Sequence, residues 1–391
     1  MKKVCVFTGT RAEYGLLSPL MRLLDHDADF QLQLLVSGTH LSSEHGMTCR
    51  VIEEDGFSID EKIDIMSDDD SAAGVCESMG RGVSGYGAAL GRLNPDLFVI
   101  LGDRFEALAA ASAAAVCGVP VVHLHGGETT LGAMDEVFRH AITKLSSLHF
   151  AATDQYRRRI IQMGESPDRV FNVGALGLEN VSRLELMPQA DLEKDIGFVM
   201  GDSCLLVTFH PATMDTLPAR EQMQVFLDAL GGLDDVKVLF TKANADAGGR
   251  EINNMIDEYA ASHPEQAAAY TSLGLLRYLS AMSHAAAVVG NSSSGIIEAP
   301  GMGTPTVNIG SRQEGRVRAD SIIDCGLDVN AIRGAVKKAV SPEFRASAKD
   351  VVSPYYQENT AQKMVQLIKD FNPDKGLCKT FHDIPEDVTI S

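Results

Sequence analysis

The stretch LFVILGDRFE at residues 97–106, followed by VVHLHGGE at residues 121–128, decides the fold. Each begins with a short apolar run that is typical of a strand buried in a parallel sheet. Each run ends in charged residues beside glycines, and a helix-like stretch, DEVFRH at residues 135–140, adds two acids, an arginine and a histidine. Because ligands bind at the carboxyl ends of parallel strands, we expect these segments to form one wall of an active site.

The same strand–loop–helix alternation recurs along the chain and predicts an α/β fold with doubly wound parallel sheets. The predicted strands are residues 4–7, 32–36, 97–101, 119–124, 205–209, 236–240, 287–289 and 306–309. The predicted helices are residues 16–24, 104–116, 135–145, a helix starting near residue 296, and residues 361–371, with a turn over residues 8–15.

The chain of 391 residues suits two domains rather than one core. We expect an N-terminal Rossmann-like domain over residues 1–178 and a C-terminal one over residues 179–356. A final segment, residues 357–391, holds the last helix and a polar tail and is expected to pack back on the first domain. Two such domains in tandem predict a ligand site in the cleft between them.

Composition excludes several classes of function. The net charge of −19 argues against sequence-independent binding of nucleic acid or an anionic membrane. Seven scattered cysteines without a Cys-x-x-Cys pair, and an N-terminal apolar run too short for a signal peptide, indicate a soluble cytoplasmic protein. No spacing resembles a zinc site, so no metal is expected, and no glycine-rich dinucleotide or ATP loop is present.

Two segments are candidates for binding phosphate. Arg11 follows a Thr-Gly-Thr turn, where it can hold a phosphate or simply be a surface arginine. The run at residues 290–295, Gly-Asn-Ser-Ser-Ser-Gly, joins a strand to a helix, so Ser292, Ser293 and helix N–H groups can cradle a diphosphate. Glu298, expected on the first turn of that helix, can bind ribose hydroxyls. The alternative is a helix cap with a capping-box glutamate.

Further polar residues follow other strands. His210 ends a strand before a proline and can be a phosphate ligand or a proton donor, or else a structural histidine. Arg312, with Gln313 and Arg316, follows another strand end and can close on the same ligand. These positions therefore extend the nucleotide hypothesis to the second domain.

The acid–base candidates share positions near the ends of strands or on the helix that follows: Asp103, His125, Glu128, Asp135 and Glu136. Asp135 and Arg139 are four residues apart on that helix, as are Glu136 and His140, so surface ion pairs are the alternative interpretation. That alternative leaves Asp103 and Glu128 unexplained, because both lie in loops beside glycines.

Taken in order, these motifs resemble a known family. They are Gly-Thr-Arg-Ala-Glu-Tyr at 9–14, Gly-Asp-Arg at 102–104, His-Gly-Gly-Glu at 125–128, Asp-Glu-x-x-Arg-His at 135–140, Phe-His-Pro at 209–211, Asn-Ala-Asp-Ala-Gly at 244–248, Gly-Asn-Ser-Ser-Ser-Gly at 290–295 and Gly-Ser-Arg-Gln-x-Gly-Arg at 310–316. The chain resembles the UDP-N-acetylglucosamine 2-epimerases, specifically the hydrolysing branch that makes N-acetylmannosamine for sialic acid synthesis. The resemblance runs from residue 4 to about residue 370 and extends to Asp-Ile-Pro-Glu at 383–386.

The resemblance implies a GT-B-like fold of two Rossmann-type domains, a reaction on a UDP-sugar without metal or cofactor, and a homodimer or homotetramer. Non-hydrolysing relatives carry Gly-Asp-Thr and a His-Arg-Arg-Glu type of segment, whereas this chain has Gly-Asp-Arg at 102–104 and His-Pro-Ala at 210–212. Many relatives have His-x-Glu-Gly-Gly where this chain has His123-Leu-His125-Gly-Gly-Glu128. The acid–base role of that glutamate therefore falls on His125 or moves to Glu128.

The resemblance and the residue types also imply a division of roles. Asp103 with Glu128 or His125 would act on one face of the sugar, and Asp135 or Glu136 on the other. Arg139 and His140 would lie on the sugar side. The diphosphate would be stabilised by Arg11, Arg104, His210, Ser292 and Ser293, and the nucleotide or the closed cleft would be held by Asn244, Glu298 and Arg312.

Other reactions stay open at this point. The nearest alternative is the same chemistry on UDP-2,4-diacetamido-2,4,6-trideoxyglucose, in the legionaminic acid route. A non-hydrolysing epimerase and a GT-B glycosyltransferase are the remaining two.

Overall fold

The computed structural model describes residues 1–69, 71–212, 214–233, 236–244, 248–375 and 378–383. The chain divides into two compact units, which we call unit 1 and unit 2. Unit 1 consists of Met1–Glu128, Asp135–Glu179 and Gln357–Ser391, and unit 2 of Thr129–Met134 and Asn180–Tyr356. The limits expected from sequence, at residues 178 and 356, stay a prediction about domains that fold independently.

Each unit is built on one parallel sheet. The strands of unit 1 are β1 Lys2–Thr8, β2 Phe30–Ser37, β3 Glu61–Ile63, β4 Leu97–Leu101, β5 Val121–Leu124, β6 Leu148–Ala151 and β7 Val170–Asn172. The strands of unit 2 are β8 Cys204–Thr208, β9 Lys237–Thr241, β10 Ala267–Tyr270, β11 Ala287–Gly290, β12 Thr306–Ile309 and β13 Ile322–Cys325.

Strand order shows that both sheets are doubly wound. Unit 1 runs β3-β2-β1-β4-β5-β6-β7 and unit 2 runs β10-β9-β8-β11-β12-β13, with parallel pairing throughout the described strands. Each order reverses at one place, between β1 and β4 in unit 1 and between β8 and β11 in unit 2. The predicted pair of Rossmann-type sheets is confirmed, and these two reversals are where such sheets bind ligands.

Helices connect the strands. In the described part of the chain they are α1 Arg11–His26, α2 Cys49–Glu54, α3 Ala72–Leu93, α4 Phe105–Cys117, α5 Asp135–Leu145, α6 Asp154–Gln162, α7 Leu176–Arg183, α8 Gln189–Ile196, α9 Ala219–Leu230, α10 Gly249–Ser262, α11 Leu275–His284, α12 Ser293–Gly301, α13 Val329–Ala339, α14 Pro342–Ala348 and α15 Thr360–Asp370. Across that same part, none is long and apolar enough to cross a membrane.

The central strands explain why the sheets form. Every residue of β4 and of β8 is buried, as expected for strands covered by helices on both faces. Apolar side chains of β4 alternate between two clusters of unit 1, with Leu97, Val99 and Leu101 in one and Phe98 and Ile100 in the other. The sheet is therefore fixed from both sides, which holds the loops at its carboxyl edge in place.

Helix α1 begins earlier than the sequence analysis expected. Residues 11–15, predicted to be part of a turn, form its first turn. Thr10 caps the helix by accepting a hydrogen bond from the Glu13 N–H, and Glu13 Oε2 accepts one from the Gly9 N–H at 2.7 Å. This reciprocal cap is a capping box, which the Thr-x-x-Glu spacing encodes and which places Arg11 at the helix N-terminus.

The chain returns to unit 1 after Tyr356. Three apolar residues of α15, Ala361, Met364 and Ile368, lie in the same buried cluster as α1. The Ala361 N–H donates to Glu179 Oε2 at 2.5 Å. Of the motif at residues 383–386, only Asp383 lies inside the described residues.

Candidate active site

The loops after β4 and β5 bring the acid–base candidates of unit 1 together. The two strands pair in register, with Leu101 beside Leu124, so the loop holding Asp103 lies next to the loop that begins at His125. The Gly102 N–H also donates to the Leu124 carbonyl at 3.0 Å. Glycine at residue 102 has a φ of +83°, a conformation that other residues rarely adopt, and this turn directs the chain out of the sheet at Asp103.

Arg139 joins the acids of this region. Its guanidinium donates to Glu136 Oε2 at 2.6 Å, to Asp103 Oδ2, and to the Glu128 backbone carbonyl at 3.0 Å. The Arg139 side chain is only 1% exposed, whereas those of Asp103 and Glu136 are 22% and 18% exposed. One buried cation therefore orients two carboxylates that keep an accessible edge.

The alternative of surface ion pairs on α5 is wrong for Arg139, because its charge lies inside the unit and contacts a second loop. The geometry fits for His140, whose Nε2 lies 3.1 Å from Glu136 Oε1 on a third-exposed side chain. Asp135 begins the helix beside these groups. A helix N-terminus favours negative charge, so both acids of the first turn are electrostatically supported there.

His125 and Glu128 form a separate pair. His125 Nδ1 lies 2.7 Å from Glu128 Oε1, and both side chains are almost fully buried. A carboxylate only accepts hydrogen bonds, so it places the ring hydrogen on Nδ1 and leaves a lone pair on Nε2. His125 Nε2 is buried and has no hydrogen-bond partner among the described residues. The backbone at His125 has a φ of +65°, a strained conformation for a non-glycine residue of the kind that occurs at functional sites.

Arg104 lies at the N-cap of α4 and turns towards a buried acid. Its Nε lies 3.2 Å from Glu106 Oε2 and its Nη2 lies 3.4 Å from Glu106 Oε1. Glu13, at the start of α1, is buried near the same acid. Burial, reinforced by the charge of Glu106, raises the pKa of Glu13 to about 8. The reversal between β1 and β4 therefore holds two buried carboxyls, of which Glu13 keeps its proton at neutral pH.

The loops at the strand reversal of unit 2 hold His210. Asn291, just after β11, accepts a hydrogen bond from the His210 N–H and donates one to the His210 carbonyl, both at 2.7 Å. His210 Nδ1 accepts from the Asn244 N–H at 3.3 Å. His210 is almost fully buried, and its backbone is fixed from both sides by one side chain. Residues 245–247 of the Asn244 motif lie outside the described residues.

Two side chains after β12 close on the same loop. Arg312 Nη1 donates to the Asn291 carbonyl at 3.1 Å, and Gln313 Nε2 donates to the same oxygen at 2.9 Å. Gly290 has a φ of +136°, and a β-carbon there would lie 2.0 Å from the Thr208 carbonyl oxygen. Only glycine therefore allows β11 to turn at this point and deliver Asn291 to His210.

Helix α12 starts at Ser293, three residues before the expected start. Ser292 is its N-cap and accepts a hydrogen bond from the Ser294 N–H at 3.4 Å, and Ser292 and Ser293 are half-buried. Glu298 consequently lies on the second turn rather than the first, where it is buried, and it is too far along for a capping box. The serine run was read as preceding the helix, but the serines have cap and helix-start geometry because their side chains replace missing backbone partners.

Three residues that contact these sites were given no role by the sequence analysis: Asn291, Glu106 and His123. Asn291 lay inside a quoted motif, and the signal that identifies it is a polar amide directly after a buried strand. His123 interrupts the apolar run of β5, and Glu106 interrupts an Ala-rich helix. A buried polar residue needs a partner, and such interruptions therefore mark positions to inspect.

Among the described residues, no group of three or more His, Cys, Asp or Glu side chains is arranged to hold a metal ion. The site in unit 1 consists instead of acids paired with Arg139 and of an imidazole paired with Glu128.

Comparison with known proteins places this geometry. The family model for UDP-N-acetylglucosamine 2-epimerase matches residues 22–369. The chain is 38% identical to the GDP/UDP-N,N'-diacetylbacillosamine 2-epimerase (hydrolyzing) of Campylobacter jejuni, over 98% of this chain and 99% of that one. It is 36% identical to the polysialic acid biosynthesis protein P7 of Escherichia coli, over 100% of this chain and 99% of that one.

A solved structure has the same fold. The UDP-GlcNAc 2-epimerase from Neisseria meningitidis, determined bound to UDP-GlcNAc, superimposes with a TM-score of 0.78 at 19% identity, covering 95% of this chain and 100% of that one. The predicted GT-B-like class, with two Rossmann-type domains, is confirmed by this likeness. The chain therefore belongs to the UDP-N-acetylglucosamine 2-epimerase family and is an enzyme of its hydrolysing, UDP-sugar branch.

Proposed function

We propose that the enzyme converts a UDP-linked 2-acetamido sugar and water into UDP and the free sugar inverted at C2. The carbon–oxygen bond at C1 breaks and UDP departs while a base removes the C2 proton, which gives a 2-acetamidoglucal. Water then adds at C1, and a proton returns to C2 from the opposite face. The C2 hydrogen is too weakly acidic to leave first, so departure of UDP leads the sequence.

One observation carries this proposal: the acid–base groups of unit 1 are divided between two separate pairs. His125 with Glu128 is one pair, and Asp103 with Glu136 on Arg139 is the other. Inversion at C2 requires proton transfer on two faces of the ring, which a single carboxylate cannot easily perform. Two independently oriented sets of groups meet that requirement.

Within the first pair, His125 Nε2 is the atom we assign to proton transfer. Glu128 holds the opposite ring nitrogen, as an orienting carboxylate does for a catalytic imidazole. The question whether His125 or Glu128 replaces the glutamate of other relatives is then answered by role: His125 moves the proton, and Glu128 fixes its tautomer and orientation. Asp103, with Asp135 or Glu136, serves the other face.

Unit 2 supplies the nucleotide side in this proposal. His210, the Ser292 hydroxyl and the N–H groups that begin α12 stabilise the negative charge of the departing diphosphate. Arg11 and Arg104 add cations from unit 1, and Asn244, Glu298 and Arg312 hold the nucleotide. His210 is well suited because Asn291 fixes its backbone on both sides.

We infer that the sugar is N,N'-diacetylbacillosamine, the 2,4-diacetamido-2,4,6-trideoxy sugar. The support is the Campylobacter jejuni relative, which is named for that sugar and aligns over nearly the whole chain. The second candidate is UDP-N-acetylglucosamine, supported by the Escherichia coli relative named for polysialic acid biosynthesis. In either case the product would feed the synthesis of an acidic sugar for a surface polysaccharide.

Proton NMR in heavy water tests the reaction and the substrate together. The enzyme is incubated separately with UDP-N,N'-diacetylbacillosamine, its GDP-linked form and UDP-N-acetylglucosamine. We expect release of the nucleoside diphosphate and of a free manno-configured sugar that carries deuterium at C2. The sugar with the highest kcat/KM identifies the substrate, and the GDP-linked form tests the nucleotide.

Three results would contradict the proposal. A product that keeps its nucleotide indicates the non-hydrolysing reaction, and release of UDP only when an acceptor sugar is added indicates a glycosyltransferase. Retention of the original hydrogen at C2 excludes the glycal route.

A further inference from the structure

We propose that His123 is a positioning residue that holds three segments of the acid–base centre in one geometry: the Asp103 loop, the His125 loop and helix α5. The inference rests on the proposed function for its consequence in catalysis, although its structural part does not. His123 itself lies in β5 below the loops, fully buried, and contacts no part of a substrate in this proposal.

The first contact is with the Asp103 loop. His123 Nε2 lies 2.8 Å from the Gly102 carbonyl oxygen, one residue before Asp103. A carbonyl only accepts, so Nε2 carries the ring hydrogen and donates it. Since Gly102 has a positive φ and turns the chain, this bond fixes the direction in which Asp103 leaves the sheet.

The second contact is with α5. His123 Nδ1 lies 3.2 Å from Thr143 Oγ1, and the same hydroxyl lies 3.0 Å from the Arg139 carbonyl oxygen. Thr143 is one helical turn after Arg139 and is fully buried. His123 therefore sets the height of the helix that carries the Arg139 cation.

The third contact is with the His125 loop. A β-carbon added at Gly126 would lie 2.9 Å from His123 Nδ1 and 3.1 Å from Thr143 Oγ1. The backbone that joins His125 to Glu128 thus packs directly on the imidazole, with no room for a larger residue. All three segments meet at one ring.

The state of the imidazole fits a positioning role. Burial lowers the pKa of His123 to about 3, with smaller effects from His149, Asp103 and Arg139 nearby, so the ring stays neutral at the pH of catalysis. A neutral buried imidazole with its hydrogen on a carbonyl does not exchange protons with a substrate. An apolar residue would fill a strand position at lower cost in desolvation, so the polar ring is explained by what it holds.

His149 provides a matched control. It is the register partner of His123 on the neighbouring strand β6 and is equally buried. Its Nε2 lies 3.1 Å from Glu165 Oε2, in a cluster with Lys144 and Lys379 rather than with the acid–base loops. Replacing either histidine by leucine removes a buried imidazole, but only one replacement releases the Asp103 loop.

The experiment compares His123→Leu, His123→Gln, Thr143→Val and His149→Leu in the full chain. A misplacement of about 1 Å lowers rates by about 100-fold. We therefore expect kcat per UDP-binding site to fall about 100-fold in His123→Leu and about 10-fold in Thr143→Val. KM and the calorimetric UDP affinity should stay within about twofold in both. The Gln amide nitrogen can reach the Gly102 carbonyl as Nε2 does, so His123→Gln should recover most of the loss. His149→Leu should lower the urea midpoint without lowering kcat.

Two readouts decide the proposal. Normal kcat per binding site in His123→Leu, or an equal loss of kcat in His149→Leu, would overturn it. If His123→Leu does not fold, Thr143→Val decides: normal kcat overturns the proposal. Hydrogen exchange of the amides at residues 102–104 is independent of any reaction. Faster exchange in the His123 variant but not in the His149 variant supports the positioning role even if every sugar tested is inert and the proposed function fails. Unchanged exchange in both overturns it.

Discussion

The two units place different chemistry on the same scaffold. Each has a doubly wound sheet and polar loops at the strand reversal, β1 with β4 in unit 1 and β8 with β11 in unit 2. In unit 1 those loops, with α5, hold a dense set of buried charges centred on Arg139. In unit 2 the corresponding place is held by neutral groups, an amide at Asn291, a hydroxyl at Ser292 and an imidazole at His210, with Arg312 donating to a backbone carbonyl.

This difference separates two tasks. Charges in a buried site are costly and are kept where protonation must change during a reaction. Neutral donors and a helix N-terminus bind a diphosphate whose charge stays the same, without burying further ions. The comparison therefore predicts that variants in unit 1 change kcat and titration behaviour, whereas variants in unit 2 change nucleotide affinity.

The largest expected effect concerns Asp103. Asp103→Asn removes the charge paired with Arg139 and the proton-transfer group, so kcat should fall by about 10³-fold, within the usual range for general acid–base catalysis. UDP affinity should stay within about twofold, because the binding groups proposed in unit 2 are intact. Steady-state kinetics and calorimetry with UDP measure both. Near-normal turnover would remove Asp103 from the mechanism and break the division between the units.

The next effect distinguishes the two members of the other pair. His125→Gln removes the proposed proton-transfer atom, and Glu128→Gln only its orienting partner. We expect kcat to fall by about 10³-fold in the first and by about 10²-fold in the second. Deuterium incorporation at C2, followed by NMR, gives the rate of the proton step itself. If the Glu128 variant is the more impaired, the roles are reversed and Glu128 is the acid or base.

Sequence predicted the scaffold of both units well, because strands buried on both faces leave unambiguous apolar runs such as LFVIL and CLLVT. It also identified the charged residues of unit 1, since acids beside glycines after such runs are rarely structural. Turn and helix limits were less accurate. Arg11 and Ser293 proved helical because capping side chains extend a helix into residues that look like a loop.

What sequence could not predict were contacts between segments far apart in the chain. Nothing local distinguishes a surface arginine on α5 from Arg139, which is buried by its contact with Asp103, 36 residues away. The pairing of Asn291 with His210 spans 81 residues and depends on which strands become neighbours. Such contacts follow from the strand order, which single-sequence patterns do not determine.

The third prediction tests unit 2. Asn291→Ala leaves the His210 N–H and carbonyl without their side-chain partner, and an unsatisfied buried group costs about 1–3 kcal/mol. The urea midpoint should fall, and UDP affinity should fall about tenfold as His210 loses its fixed position. kcat at saturating substrate should change less than in any unit 1 variant above.

The matched variant for the phosphate assignment is Ser293→Ala combined with Arg11→Ala. Calorimetry should show weaker UDP binding with no change in the urea midpoint beyond about 0.5 kcal/mol, as for most surface substitutions. If this double variant binds UDP as tightly as the wild type, the phosphate contacts proposed for these residues are wrong.

The smallest effect is on the pH dependence of stability, and it sharpens the contrast in titration. The pKa of Glu13 is raised to about 8 by burial, with a contribution from Glu106, while the unfolded chain has the ordinary value near 4.5. Between those two values the folded state holds a proton that the unfolded state has lost. The contribution of Glu13 to stability is therefore complete below pH 4.5 and is lost as the pH rises to about 8. Glu13→Gln has no such proton, so the difference in urea midpoint between the wild type and this variant should fall steadily from pH 5.5 to pH 8. Ser292→Ala, in the neutral site of unit 2, should run parallel to the wild type over the same range. Parallel curves for Glu13→Gln as well would show that Glu13 is already ionised in the folded protein, and the two strand reversals would then not differ in the way their buried groups titrate.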